Sequence, residues 1–278
     1  MFEYDDELKI YMGCDIDITS KIKVSQPSLR QIAEFGERKY FNAVHLLTSV
    51  GADLKWQLWD YHKIDYTTID DYSLFIKFIA PLLGSQKMIY SEIVNNKEKY
   101  ENELQRISIE ELEEMLVNPL SLILNVDFAD FVPMIKKMNE EDEQIILVNQ
   151  KDGIVIDRLV YARIVQIIRK IHGFKRNNEV PANEVTKRDL IDDARDEAMA
   201  MSRQPYKSTL RSLISTLSVY CGQCGDERIW NMKINSFFES IKRISKIEDT
   251  HTLMQGSYSG FTDLKNIDKT RFDMFADI

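Results

Sequence analysis

The chain has 278 residues, with 36 Lys and Arg against 45 Asp and Glu, a formal charge of −9. Hydrophobic residues make up 44% and charged residues 29%, with only 10 Gly and 6 Pro. This composition excludes a disordered, collagenous or low-complexity chain and fits one large domain or two small ones. The acidic balance counts against nucleic acid as a partner, because wrapping phosphate needs a concentrated positive face.

The first residues, MFEYDDELKI, carry Glu3, Asp5, Asp6 and Glu7 where a secretory signal has Lys or Arg before an apolar run, so export by that route is not expected. No apolar stretch approaches the roughly 20 residues of a membrane span. The nearest, PLSLILNVDFADFVPMI, is interrupted by Asn125, Asp127 and Asp130, so no membrane partner is expected. Three cysteines do not build a disulfide framework and point to a reducing cytosol.

Ile10, Met12, Cys14, Ile16 and Ile18 share one parity that Ile22 and Val24 continue, which predicts a strand pair over 8–24 with a bulge at Gly13 and a turn at Thr19-Ser20-Lys21. Pro27 then stops the strand. Ser28 caps a helix carrying Leu29, Ile32, Ala33 and Phe35 and closed by Gly36. A second helix is expected from Arg38 to near Gly51, and a third around Leu54, Trp56, Leu58 and Trp59. Asp70 or Asp71 caps a further one, with Leu74, Phe75, Phe78 and Ile79 inward, ended by Pro81 and Gly84.

Residues 97–143 hold 13 Asp and Glu against 5 Lys and Arg, and within them Ser108 with Glu111 forms a capping-box signature. QIILVNQKDGIVI, at 144–156, reads as a β-hairpin that runs into Asp157, the cap of a helix with Val160, Ile164, Ile167, Ile168 and Ile171 buried and Gly173 at its end. The stretch 174–184 is a loop. Helices then start at Thr186, Ser208 and about Asn231, and Gly256-Ser257-Tyr258-Ser259-Gly260 opens an extended tail. The fold class expected is mainly α with small β-hairpins (α+β) and a helical C-terminal half. It divides into an α+β portion at 1–173, a connecting loop at 174–184 and a helical portion at 185–278.

No motif assigns a catalytic residue or a cofactor. The phosphate-binding patterns GxxxxGK and GxGxxG are absent, and Ser257 and Ser259 do not have the spacing of a nucleophile elbow. Cys221-Gly222-Gln223-Cys224 is the one candidate metal pair. It lacks the second pair that a structural zinc wants, so two inert thiols at a helix end, with Gly222 as the cap, are favoured. The carboxylate pairs Asp192-Asp193, Asp196-Glu197, Glu110-Glu111 and Glu113-Glu114 read as solvated helix faces.

Arg158, Arg163, Arg169, Lys170, Lys175 and Arg176 form a basic cluster, and residues 157–211 carry 12 Lys and Arg against 8 Asp and Glu, a net +4 beside the −8 of 97–143. That bipolarity favours protein partners over DNA. The candidate partner-binding residues are Arg163, Arg169 and Lys170 on the basic helix and Glu110, Glu111 and Glu114 on the acidic one. Reversing the three basic charges is expected to weaken a complex without unfolding the monomer.

Several segments taken together carry a family resemblance. They are the opening strand pair with Gly13, Gln26-Pro27-Ser28-Leu29, Glu34-Phe35-Gly36-Glu37, the Ile156-Asp157 step into Tyr161, Ser212-Leu213-Ile214-Ser215, and Tyr258-Ser259-Gly260. The chain resembles tail-morphogenesis proteins of tailed bacteriophages of Gram-positive hosts, described as tail assembly chaperones or as minor tail and baseplate proteins. The resemblance implies a non-enzymatic protein that binds other phage tail or baseplate proteins in the host cytoplasm during assembly, or in the virion tail, and it leaves a homo-oligomer open. It carries over no catalytic residues. A nucleic-acid-binding regulator using the helices after Thr186 is the alternative.

Overall fold

The computed structural model describes residues 4–95, 116–137, 143–222, 227–260 and 267–276. Helices dominate, with one two-stranded and one three-stranded antiparallel sheet, so the chain is mainly α with small β-hairpins. The segment around Ser108, with Glu110, Glu111 and Glu114, lies outside the described residues.

The first element corrects the strand reading. Residues Tyr4–Tyr11 form helix α1, and the hairpin is confined to β1 (Ile16–Asp17) and β2 (Lys23–Val24). Gly13 is not a bulge. At φ 77° it closes α1, with the Gly13 N–H donating to Ile10 O and the Cys14 N–H to Lys9 O, the two bonds of a Schellman motif. The alternation over 10–18 therefore spans two elements, and Ile10 reaches the core from a helix rather than a strand. The turn is where the sequence places it, with Thr19 Oγ1 accepting from the Ile22 N–H.

Helix α2 (Leu29–Phe35) starts in a capping box, in which Ser28 Oγ accepts from Gln31 N–H and Gln31 Oε1 accepts from Ser28 N–H. Helices α3 (Glu37–Thr48) and α4 (Lys55–His62) follow. The next helix does not end at Pro81 or Gly84. It runs from α5 (Asp71–Leu74) through a π-turn at Phe75–Ile79 into α6 (Ala80–Asn95). In the π-turn the Ala80 N–H donates to Phe75 O, which widens the helix where Pro81 brings a ring and no N–H. Gly84 serves packing instead, since a Cβ there would stand 2.9 Å from the Ala129 backbone nitrogen.

The predicted hairpin is β4 (Glu143–Asn149) with β5 (Ile154–Ile156), in the register Leu147 opposite Ile156. A third strand, β3 (Val132–Lys137), pairs with β4 from Val132 opposite Val148 to Lys137 opposite Glu143. Pro133 hid it in the sequence, because proline is confined to edge strands, and β3 is one. The Tyr72 hydroxyl, 3.0 Å from Ile156 O and 3.1 Å from Ile145 O, donates to this carbonyl pair and ties α5 to the sheet.

Helix α7 (Arg158–His172) follows at once. Asp157 accepts from the Leu159 and Val160 N–H groups, and Gly173 closes the helix in the left-handed conformation. Its buried residues, Tyr161, Ile164, Val165, Ile167, Ile168, Ile171 and His172, place it against α3, α5, β2, β5 and the long C-terminal helix α11 (Ile234–Tyr258). Two aromatic groups complete that packing. Phe75 stacks on Tyr161 with centroids 4.1 Å apart and meets Phe128 edge-on, and His172 packs with Tyr40, Phe41 and Phe174.

Helix α8 (Glu184–Ser202) is capped by Asn183, which accepts from Thr186 N–H; Thr186 itself is inside the helix. Helix α9 (Thr209–Tyr220) starts at Ser208 as the sequence indicates, and α10 (Glu227–Asn231) precedes α11, whose first residue is Ile234 rather than Asn231. Gly256, Ser257 and Tyr258 continue α11, so the turn is restricted to Ser259-Gly260. The described tail folds back as a 3-10 turn at Lys269–Phe272, bound through Thr250 Oγ1 to Arg271 O and Arg243 Nη1 to Met274 O. One apolar cluster joins Ile10, Val24, Leu47 and Ile168 to Ile191, Leu217, Ile234 and Phe237.

His172 is buried, with Nδ1 2.7 Å from Ile168 O and Nε2 2.7 Å from Tyr40 Oη. A carbonyl only accepts, so Nδ1 carries the proton and Nε2 accepts from the tyrosine. Burial pushes the imidazole pKa down to about 4. The unfolded chain therefore binds a proton, between its ordinary value near 6.5 and about 4, that the folded chain does not. This residue's stability contribution is present above pH 6.5 and lost as pH falls, by about 2 to 3 kcal/mol at pH 4.5. Urea unfolding at pH 7.5 and 4.5 is expected to show this loss in the natural sequence. It should be absent in His172→Gln; an unchanged pH dependence in the variant would contradict the buried neutral imidazole.

Candidate functional site

The basic cluster sits on and just after α7. With the isoleucine face in the core, the arginines and lysines divide between the two flanks of the helix. On one flank Arg163 pairs with Asp6 at 2.6 Å and Lys170 with Glu7 at 3.2 Å, so the acidic start of the chain clamps α1 onto α7. On the other, Arg158 pairs with Asp70 at 3.0 Å and Arg176 with Asp71 at 3.0 Å, while the Arg169 guanidinium donates to the Thr48 carbonyl. Lys175 is exposed.

The three basic residues proposed from sequence are therefore on one helix but not on one open face. Arg163 and Lys170 hold α1, and Arg169 lines a cleft. The Arg163–Asp6 pair is the more enclosed, with side-chain exposures of 30% and 17%. Reversing Arg163 would set two carboxylates against each other at partly buried positions, so the expectation of an unaffected monomer does not hold for this residue. Asp6 and Glu7 escaped notice because the sequence offered them only as exceptions to a signal peptide.

The cleft, of about 560 Å³, lies between α7, the start of α5 and the segment after α7. Arg158, Ala162, Val165 and Arg169 come from one face of the helix, with Gln166 beside them, and Tyr72, Asp70, Asp71 and Arg176 stand opposite. Asp70 caps α5, accepting from the Tyr72 and Ser73 N–H groups, and Arg158 stands 5.8 Å from the centroid of the Tyr72 ring.

The helices after Thr186 use part of their basic complement internally. Buried Lys187 pairs with Asp65 and Glu184 at 2.6 and 2.7 Å, and Arg195 holds Asp60 and Asp192. The carboxylates beside Arg195 hold its pKa above the usual guanidinium range. The 174–184 segment is strapped down in the same way, with Lys55 on Glu179 at 2.6 Å and His45 stacked on Phe174 at 4.3 Å. Cys221 is exposed at the end of α9 beside left-handed Gly222, and Cys224 lies outside the described residues. Among the described residues no group of three or more His, Cys, Asp or Glu is placed to hold a metal, and no helix is long and apolar enough to cross a membrane.

A surface that the sequence reading missed is the ribbon of β3 and β4. All six residues of β3 are exposed, Ile135 by 65%, and Ile145 directly opposite it by 43%. Among the described residues no strand pairs with the outer edge of β3, which leaves its backbone carbonyls and the N–H groups other than that of Pro133, which has none, to solvent. No period-two pattern marks it in sequence, because in VPMIKK both parities hold apolar residues followed by Lys and neither face is buried.

Residues 202–273, covering α9, α10, α11 and the 3-10 turn, match the family model described as YomV second domain, a phage-derived family from Bacillus phage SPBc2. No curated protein and no solved structure matches the chain.

The charge clamp gives a stability test. Arg163→Glu is expected to lower the unfolding free energy by about 2 to 3 kcal/mol in urea titrations. Adding Asp6→Arg should recover more than half of the loss. A single reversal that leaves the transition unmoved would show that α1 is not held by this pair.

Proposed function

We propose that this chain is a non-enzymatic phage protein that works by binding another phage protein during tail assembly. The phage setting is supported by the match of 202–273 to a phage-derived family and by the resemblance of the short segments described above. The binding mode is carried by one observation, the apolar edge of β3 that no strand among the described residues pairs. The exposed backbone groups beside Met134 and Ile135 are best satisfied by an extended apolar segment of the partner added as a fourth strand, with Pro133, which has no N–H, as the limit of that pairing at its first end. Lys136 and Lys137, at the far end of β3, would set the limit of that pairing, since edge lysines oppose strand addition.

Placing the partner on β3 leaves the basic flank of α7 to its intramolecular role. Such a protein would act in the host cytoplasm, or in the virion tail if it stays with the particle.

The test is co-purification from infected cells with the natural sequence and with Ile135→Asp. Ile135 is exposed, so this substitution should cost no more than about 1 to 2 kcal/mol, through lost strand propensity and the pair with Ile145. Identified tail or baseplate proteins should accompany the natural chain and fall at least tenfold with Ile135→Asp. Equal recovery with both would overturn the strand-addition mode, and recovery of nucleic acid in place of tail proteins would overturn the assembly reading.

A further inference from the structure

Three guanidinium groups and two carboxylates face the cleft beside α7, and their pairing is incomplete. Arg158 is matched to Asp70, and Arg176 is held by both oxygens of Asp71 at 3.0 and 3.1 Å. Arg169, the least exposed of the three, donates to the Thr48 carbonyl and is in no ion pair among the described residues. Burial pulls the Arg169 pKa below the usual guanidinium range and outweighs the Asp71 and Asp53 carboxylates, which act on it from a distance in the opposite direction. Every other basic side chain of the α7 cluster that is paired has a carboxylate.

We infer that the cleft lined by Arg158, Gln166, Arg169 and Arg176 is a binding site for a small ligand bearing one oxyanion group, a phosphate or a carboxylate, seated on Arg169. The charge count of the lining leaves room for a single anion. A guanidinium with most of its donors unused offers the fork geometry that oxyanions take. Gln166, three residues before Arg169 and on the same side of the helix, supplies a neutral amide that donates to an anion without adding charge. The volume, about 560 Å³, exceeds what a bare ion fills and falls in the range of small-molecule sites. Tyr72 and Tyr161 give the remainder of a ligand apolar walls, and Tyr161 is fixed by its stacking on Phe75. This site is separate from the β3 edge and does not depend on the assembly role.

The experiment is thermal unfolding of the full chain in sodium phosphate, sodium acetate and sodium chloride at matched ionic strength and pH. At phosphate about tenfold above its Kd, Tm is expected to rise by roughly 2 to 4 °C over chloride. A rise with phosphate alone assigns a phosphate-bearing ligand, and a rise with acetate as well assigns a carboxylate. Arg169→Gln should abolish the rise. Because Arg169 also holds the Thr48 carbonyl, Gln166→Glu provides a second variant, placing a carboxylate beside Arg169 while leaving that bond intact. It too should abolish the anion response, with Tm in chloride kept or raised. No rise in phosphate or acetate over chloride, or a rise undiminished in both variants, would overturn the site.

Discussion

Burial of the isoleucine face of α7 decides what its charged residues can do. With Ile164, Ile167, Ile168 and Ile171 in the core, the helix axis is fixed and Arg163 and Lys170 emerge on one flank, Arg158 and Arg169 on the other. Each flank then meets an acidic element already held nearby, α1 through Asp6 and Glu7, and the start of α5 through Asp70 and Asp71. The apolar contacts supply most of the stabilisation, since burying such side chains is worth about 1.5 to 3 kcal/mol each before entropy is counted, against about 0 to 1 kcal/mol for an exposed ion pair. The ion pairs set which neighbours α7 accepts and in what register.

The elements most legible in sequence are those where cap and apolar period agree. Asp157 with the stripe to Gly173, Ser28 with Gln31, and Ser208 ahead of α9 all stand where the residue pattern puts them. Errors arose where a local signal had a second physical use. Gly13 ends a helix as readily as it makes a bulge, so the parity from Ile10 to Ile18 joined two elements into one strand. Pro81 stops a regular helix but is accommodated after a π-turn, and Gly84 is there for the approach of Ala129. Gly256 lies inside the last turns of α11, where an isolated glycine costs about 1 kcal/mol without ending the helix.

The candidate site was legible in its residue types and hidden in its geometry. The arginines and lysines on and just after α7 were visible as a cluster, but their partners lie 88 and 105 positions earlier in the chain, at Asp70 and Asp71, and 157 and 163 positions earlier, at Asp6 and Glu7, beyond the reach of local pattern. Pairing converts an apparent docking face into a structural clamp plus one incompletely neutralised cleft. Among the described residues, the basic side chains on and just after α7 that form ion pairs find them in Asp6, Glu7, Asp70 and Asp71, within a chain whose net charge is −9.

If α7 is the element on which the rest of the fold depends, native-state hydrogen exchange will show it as the last part of the chain to open. The amides of Ile164 to Ile171 should exchange only through global unfolding, with opening free energies equal to the unfolding free energy from denaturant and above those of β3 and the turn at 269–272. Exchange of these amides at a lower free energy, while α3 or α11 stayed protected, would contradict it.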